Sequence, residues 1–218
     1  MIPIGQQSAI TMIDYGGSNL RSVQKAFEAV GVEVDVTPDP DLVVRARRLV
    51  LPGVGAFPAG MEGLKARGLD EAITQAVAAG IPLLGICLGM QLLFDESEEM
   101  GRHAGLGLLT GRVVRFDGCA IGPEGRGLKV PHMGWNQIEH PGTHPLLAGV
   151  PSGSHAYFVH SYYCAPSQAT DVIATAEYDL RFAAIAGRGH ILGIQFHPEK
   201  SQAVGLRILK NFADMGAA

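Results

Sequence analysis

Two short stretches of this chain carry residue types that could do covalent chemistry. Gly85–Ile86–Cys87–Leu88–Gly89 has the form G-x-C-x-G and lies between an apolar run and a helix-like pattern. The corresponding G-x-S-x-G is a nucleophile elbow, and the physics transfers to cysteine. A sharp strand-to-helix turn forces its central residue into a strained backbone conformation. Small flanking residues permit that close approach, and a helix N-terminus beyond the turn favours a thiolate. The N–H of Leu88 could then point at a developing oxyanion. A buried, inert cysteine in a glycine-bounded turn fits the same five residues, since free cysteine is among the most buried residue types. The second stretch bears on that choice. His197–Pro198–Glu199 follows the apolar run Ile191–Phe196, at a strand end, where functional groups of α/β folds collect. His197 could take the thiol proton and Glu199 could hold the imidazole's tautomer and orientation. Alone, H-x-E reads as a solvated turn; beside a strand-end cysteine it completes a Cys87–His197–Glu199 triad. A third loop, Pro52–Gly53–Val54–Gly55–Ala56–Phe57, carries two glycines that let backbone N–H groups approach a ligand. It reads equally as a second oxyanion donor or as an ordinary tight turn.

Such groups need elements to position them. Ala9–Asp14 reads as a strand and Asn19–Gly31 as a helix, with Leu20, Val23, Phe27 and Val30 on one face. Strand patterns follow at Val32–Val36, Arg48–Leu51 and Ile81–Ile86, with helical patterns at Phe57–Ala66, Asp70–Ala79 and Leu88–Phe94. This alternation predicts βαβ units and a parallel sheet. The second half changes character. Residues 111–116, 133–139, 156–163, 172–177 and 182–195 are rich in Val, Ile, Phe, Tyr and Thr and predict antiparallel strands, with a hairpin turn at Gly187–Arg188–Gly189. Ser201–Met215 reads as a closing helix. No composition break marks a linker, so the expected architecture is a single α/β domain over 1–218, a mostly parallel central sheet with antiparallel additions.

Composition sets the boundaries. Of 218 residues, 47% are hydrophobic and 17% charged, which supports a core and excludes a disordered or fibrous chain. Seventeen Lys and Arg against 21 Asp and Glu give a net charge of −4, which points away from nucleic acid and anionic membranes as partners. Cys87, Cys119 and Cys164 are an odd count at wide spacing, expected as free thiols in a reducing cytoplasm. The first ten residues, MIPIGQQSAI, do not read as a signal peptide, and the longest apolar runs fall short of the roughly 18–20 residues of a membrane span.

Gly85–Gln91 (GICLGMQ) together with Gln195–Ser201 (QFHPEKS) resembles the class I, or triad, glutamine amidotransferases. Leu51–Phe57 (LPGVGAF) is similar to their oxyanion loop. Ile13–Phe27 (IDYGGSNLRSVQKAF), Lys129–Gln137 (KVPHMGWNQ) and Phe158–Tyr163 (FVHSYY) narrow the likeness to the glutaminase subunits of imidazole glycerol phosphate synthases. The likeness runs from about residue 9 to 213. It implies a three-layer, flavodoxin-like fold and hydrolysis of L-glutamine through a cysteine thioester, with Cys87, His197 and Glu199 as triad. Leu88, Gly53, Val54 and Gly55 would supply the oxyanion site, and Gln91, Ser161 and Tyr162 would hold glutamine. It implies no cofactor. It also implies a heterodimer with a (β/α)₈-barrel cyclase subunit, with Asn19, Trp135 and Lys200 near the interface; a core tryptophan is the competing reading of Trp135. The family reads DYG-x-GNL where this chain has Ser18, a residue under modest strain if the turn needs a positive φ.

Other chemistries fare worse. His140 and His144 enclose Pro141 and Gly142, which spoil helical ligand spacing, and His155 and His160 fall on opposite faces of a strand. No cysteine pair completes a zinc set, so no metal is expected. Neither a P-loop nor a G-x-G-x-x-G is present, so a nucleotide substrate would bind a partner. Asp95–Glu99 (DESEE) reads as a solvated helix end or loop. The competing functions are the glutaminase of another amidotransferase (guanylate, anthranilate or aminodeoxychorismate synthesis) and a non-catalytic partner-binding module on the same fold. The KVPHMGWNQ and DYGGSNL segments argue against the first. The presence of all three triad residues argues against the second.

Overall fold

The computed structural model describes residues 10–17, 19–118 and 128–215; Ser18 and Cys119 lie outside them, as does most of the 117–128 segment. The chain runs β1 (Ile10–Ile13), α1 (Leu20–Ala29), β2 (Val34–Thr37), α2 (Pro40–Val43), β3 (Leu49–Gly53), α3 (Phe57–Lys65), α4 (Leu69–Ala78), β4 (Leu83–Cys87) and α5 (Leu88–Leu92). It continues through β5 (Phe94–Ser97), β6 (His103–Ala104), β7 (Leu109–Arg115), β8 (His132–Ile138), β9 (Ser154–His160), β10 (Tyr162–Pro166), β11 (Val172–Glu177), β12 (Arg181–Arg188), β13 (Ile191–Ile194) and α6 (Gln202–Asp214). The main sheet has seven strands in the order β11-β12-β13-β4-β3-β1-β2. From β13 to β2 every pairing is parallel; β11 and β12 add antiparallel strands.

Strand periodicity divides the apolar residues between two layers. On β3, Val50 packs with Phe27 of α1 and with Ile208, Leu209 and Phe212 of α6. Its neighbours Leu49 and Leu51 face the other way, toward Phe57, Leu64, Leu69 and Ile73 of α3 and α4. A period of two on the strands and about 3.6 on the helices produces this three-layer arrangement. It puts β4, which carries Cys87 at its C-terminal end, at the centre of the sheet between β13 and β3. No described helix is long and apolar enough to cross a membrane.

The structure departs from expectation in several places. The run 156–163 is two strands broken at Ser161: β9 pairs with β8 in a two-stranded sheet, and β10 pairs with β7 in a separate four-stranded one. Alternation of Val, Phe and Tyr does not disclose a change of pairing partner, which is why the run reads as continuous. The β12–β13 turn falls at residues 189–190, beyond Gly187–Arg188, where Gly189 takes φ +59°. Gly187 stays in the strand because a Cβ there would sit 2.6 Å from the Ile191 carbonyl oxygen. The helix expected over Leu88–Phe94 stops at Leu92. Phe94 opens β5, and the acidic run after it is bonded rather than merely solvated. Asp95 accepts from the Gly111 N–H at 2.8 Å, Glu98 from the Arg115 N–H at 2.7 Å and Glu99 from the Phe57 N–H at 2.7 Å. The run thus ties β5 to β7 and satisfies a free N–H at the start of α3.

The helix α6 rides directly on the His197–Glu199 turn. A Cβ at Gly205 would lie 2.0 Å from the Pro198 carbonyl oxygen, so only glycine permits this approach. Gly205→Ala is expected to cost about 1–3 kcal/mol through overpacking and to lower the melting temperature by several degrees, measured by thermal denaturation.

Candidate active site

Cys87 has φ 54° and ψ −111° and is 7% exposed. A non-glycine residue in so sparsely populated a region costs of order 1–3 kcal/mol and needs surroundings that impose it. Those surroundings are glycines on either side. A Cβ at Gly85 would sit 2.6 Å from the Gly89 carbonyl oxygen, and one at Gly89 would sit 1.7 Å from that of Leu51. β3 runs alongside in register, Gly53 opposite Cys87. A Cβ on Gly53 would meet the Tyr15 hydroxyl at 2.3 Å, so glycine here lets the loop lie against the elbow.

His197 follows the end of β13, as the last strand before the closing helix brings it beside β4. Its N–H donates to the Tyr157 carbonyl at 2.9 Å. Ser201, 1% exposed, braces the turn: its hydroxyl donates to the His197 carbonyl at 2.6 Å and accepts from the Tyr157 N–H at 3.0 Å. The ring Nδ1 of His197 is 2.8 Å from Glu199 Oε1, and the same oxygen accepts from Asn19 Nδ2 at 2.8 Å. Both side chains of the His197–Glu199 pair are 3% exposed. Nδ1 therefore carries a proton toward the carboxylate, and Nε2 is the end that can take one up. Among the described residues Nε2 has no hydrogen-bond partner. Burial disfavours the charged imidazole, but Cys87 and Glu199 outweigh it and raise its pKa to about 9. For Glu199 burial pushes upward, and the bonds from His197 and Asn19 win, holding the carboxyl below its ordinary value.

Cys87, His197 and Asn19 open on a cavity of about 520 Å³ whose wall also includes Val54, Gly55, Leu88, Gln91, Ser161, Tyr162 and Lys200. The structure thus brings together ten of the residues singled out from sequence; Gly53, Glu199 and Trp135 do not line this cavity. Gln91 is 5% exposed, and its Nε2 donates to the Tyr162 carbonyl at 3.0 Å and to Gln195 Oε1 at 3.2 Å. With both N–H groups committed, its own carbonyl oxygen remains for a ligand. The Tyr162 carbonyl is held from behind by two buried histidines. It lies 2.8 Å from His160 Nδ1; His160 Nε2 lies 3.0 Å from His132 Nδ1, and His132 Nε2 lies 3.3 Å from the Asn136 amide nitrogen. A carbonyl only accepts, so each Nδ1 is the protonated one, and the pair is neutral. Burial agrees, moving His132 to about 4 and His160 to about 3.

A family model described as glutamine amidotransferase class-I matches residues 11–215. The chain belongs to that family. It is 57% identical over 206 residues to the imidazole glycerol phosphate synthase subunit HisH of Syntrophotalea carbinolica, with 94% of this chain and 100% of that one covered. It is 54% identical over 203 residues to HisH of Geobacillus kaustophilus, covering 93% and 95%. Among solved structures, a glutamine amidotransferase superposes with a TM-score of 0.73 at 18% identity over 95% of this chain and 100% of the other. PurLQS from Thermotoga maritima gives 0.69 at 19% identity, covering 93% and 96%.

Within this amidotransferase, the residues expected at a partner surface separate. Trp135 is 47% exposed on β8, next to the 62%-exposed Met133, and meets Tyr157 edge-on at 6.0 Å. Lys200 Nζ lies 5.6 Å above the Tyr157 ring. Asn19 instead reaches inward to Glu199. Sequence reasoning passed over Ser201 and Gln195. The signal for Gln195 was present: a lone polar side chain in the apolar run Ile191–Phe196, here 0% exposed.

The two pKa shifts set a pH window for the His197–Glu199 pair. The raised histidine stabilises the fold fully below its ordinary 6.5 and loses that contribution as pH climbs through about 9. The depressed carboxyl stabilises above its ordinary 4.5 and loses its contribution as pH falls through the folded value. Glu199→Gln is therefore expected to cost on the order of 2 kcal/mol between those two ordinary values, with the deficit shrinking toward pH 9. Urea denaturation of both proteins across pH measures it.

Proposed function

We propose that this amidotransferase hydrolyses L-glutamine to glutamate and ammonia and delivers the ammonia to a (β/α)₈-barrel cyclase subunit, the two forming an imidazole glycerol phosphate synthase of histidine biosynthesis. The observation that carries the chemistry is a strained strand-end cysteine beside a buried His–Glu pair at one cavity. The 57% identity to HisH over nearly the whole chain supports the assembly.

Cys87 gives its proton to His197 Nε2, and the sulfur attacks the side-chain amide carbon of glutamine. The oxyanion is held by the Leu88 N–H and by a second N–H from the Val54–Gly55 loop. His197 passes the proton to the departing nitrogen, ammonia leaves, and a glutamyl thioester remains. Water then attacks, giving its proton to His197; a second oxyanion collapses, glutamate leaves, and the sulfur is reprotonated. Glu199 keeps Nδ1–H in place and stabilises the imidazolium. The Gln91 carbonyl oxygen faces the substrate ammonium, and the Ser161–Tyr162 segment holds the carboxylate end. In the cyclase, ammonia would combine with a phosphoribulosyl aminoimidazole carboxamide nucleotide to give imidazole glycerol phosphate and aminoimidazole carboxamide ribotide. Trp135, Lys200 and Asn19 mark the partner-facing side, where an exposed tryptophan suits an interface hot spot.

Glutamate release from this chain is expected to rise strongly when cyclase and its nucleotide ligand are added, and to fall by at least about a thousandfold in Cys87→Ala. Full activity indifferent to the cyclase would overturn the assembly and keep the chemistry. Silence from folded protein with competent cyclase would overturn both. Gln91→Leu is expected to raise the KM for glutamine by about tenfold or more, since one hydrogen bond to a charged group is lost, with a smaller change in kcat.

A further inference from the structure

Gln195 lies directly behind the nucleophile and none of the steps above uses it. It is 0% exposed and follows the last residue of β13, and its N–H donates to the Ala184 carbonyl at 2.9 Å. Its side-chain Nε2 lies 3.8 Å from Cys87 Sγ, within reach of an N–H···S hydrogen bond, and its Oε1 accepts from Gln91 Nε2. The network fixes which end of the amide is which. The Tyr162 carbonyl can only accept, so the nitrogen of Gln91 faces it. The same nitrogen faces Gln195, which must therefore present oxygen to Gln91 and nitrogen to sulfur.

We propose that Gln195 is the buried hydrogen-bond donor that stabilises negative charge on the Cys87 sulfur when its proton leaves, and that couples the sulfur to the glutamine-binding side chain Gln91. The proposal rests on the glutaminase reading. A thiol accepts hydrogen bonds weakly and a thiolate strongly, so the bond favours the charged sulfur once its proton has passed to His197. The partners of Gln195 around the sulfur are the His197 imidazole and, beside the elbow, the Tyr15 hydroxyl. The bond also fixes the direction of the sulfur relative to Gln91. The nucleophile and the group that receives the substrate's amino end are then spaced by one rigid amide, two hydrogen bonds long. A fully buried amide would otherwise bring a desolvation cost to the core with no return.

The test reads sulfur directly. The pH dependence of Cys87 alkylation by iodoacetamide is measured on the full chain, with Cys87 modification quantified by peptide mass, in wild type, Gln195→Met and Gln195→Glu. Gln195→Met, close in volume but without the donor, is expected to move the curve to higher pH and to slow alkylation about tenfold at pH 7, the effect of one unit. Gln195→Glu adds like charge and is expected to move it further. The kcat for glutamine should fall more than KM rises. A curve unmoved in both variants, with only KM raised, would reduce Gln195 to a prop for Gln91 and overturn the proposal. A measurement without substitution covers the case of misfolding. In wild-type protein the Gln195 side-chain amide NMR signals should titrate with the same midpoint as alkylation, and signals flat across that range would overturn it as well. The alkylation curve and the NMR titration do not involve glutamine, so loss of the glutaminase reading would be seen separately, as absent glutamate release with these two results intact.

Discussion

The positive φ of Cys87 is the constraint on which the site depends. A residue at φ 54° and ψ −111° does not stay there by preference. It is held because β4 is clamped between β13 and β3 and because α5 starts at the next residue. That start is possible only where Gly89 lets the helix backbone approach Leu51, at a distance that would leave 1.7 Å between a Cβ and the carbonyl oxygen. A side chain at either Gly85 or Gly89 would meet backbone atoms at 2.6 or 1.7 Å and forbid the turn. The G-x-C-x-G spacing is therefore a statement about backbone clearance. The identity of the nucleophile is secondary to it.

The charge at the site obeys a similar economy. A buried His–Glu pair is favourable only if its remaining polar atoms are satisfied. Asn19, at φ 77° ahead of α1, supplies one of the missing donors, to the same Glu199 oxygen that His197 uses. Ser201 fixes the backbone that carries both residues. The electrostatics of the pair thus depends on an N-terminal loop and the turn before the C-terminal helix, separated by most of the chain.

Much of this was legible in the sequence, for physical reasons. The parallel half has helix and strand periods that differ and turn glycines that punctuate them, so β1 to β4 can be read to within a residue or two, apart from the short α2, which the sequence reading does not contain. Cys87, His197 and Glu199 stand out in the sequence because a thiol, an imidazole and a carboxylate at strand ends have few purely structural uses together. Less could be read where one periodicity serves two sheets. The switch at Ser161 turns the chain from β9 into β10 and exposes the Tyr162 carbonyl to Gln91; its only trace in the sequence is the polar pair His160–Ser161, which fits a single strand equally well. The acidic run after α5 misled in the opposite sense, because a carboxylate bonded to a neighbouring strand's N–H has the same sequence as one in water. Asn19 shows the limit again: its contact with Glu199 spans 180 positions, which no local pattern discloses.

The polar atoms left over point to what the centre is built for. His197 Nε2, Glu199 Oε2 and the Tyr15 hydroxyl are buried without a hydrogen-bond partner among the described residues. An unsatisfied buried polar group costs about 1–3 kcal/mol, and core evolution toward stability alone would have removed all three. Two of them belong to the pair that must accept and return a proton. The third lies where Gly53 and Leu88 meet beside the elbow, and burial and the nearby Cys87 both push its ionisation upward, which keeps it a neutral donor. Nε2 of His197 is left to Cys87, whose side chain helps raise the imidazole pKa, and on the proposed reading it is the atom that takes the thiol proton. The stability forgone at this corner is recovered in the two apolar layers, where Phe27, Phe57, Phe94 and Phe212 are fully buried on either side of the same sheet.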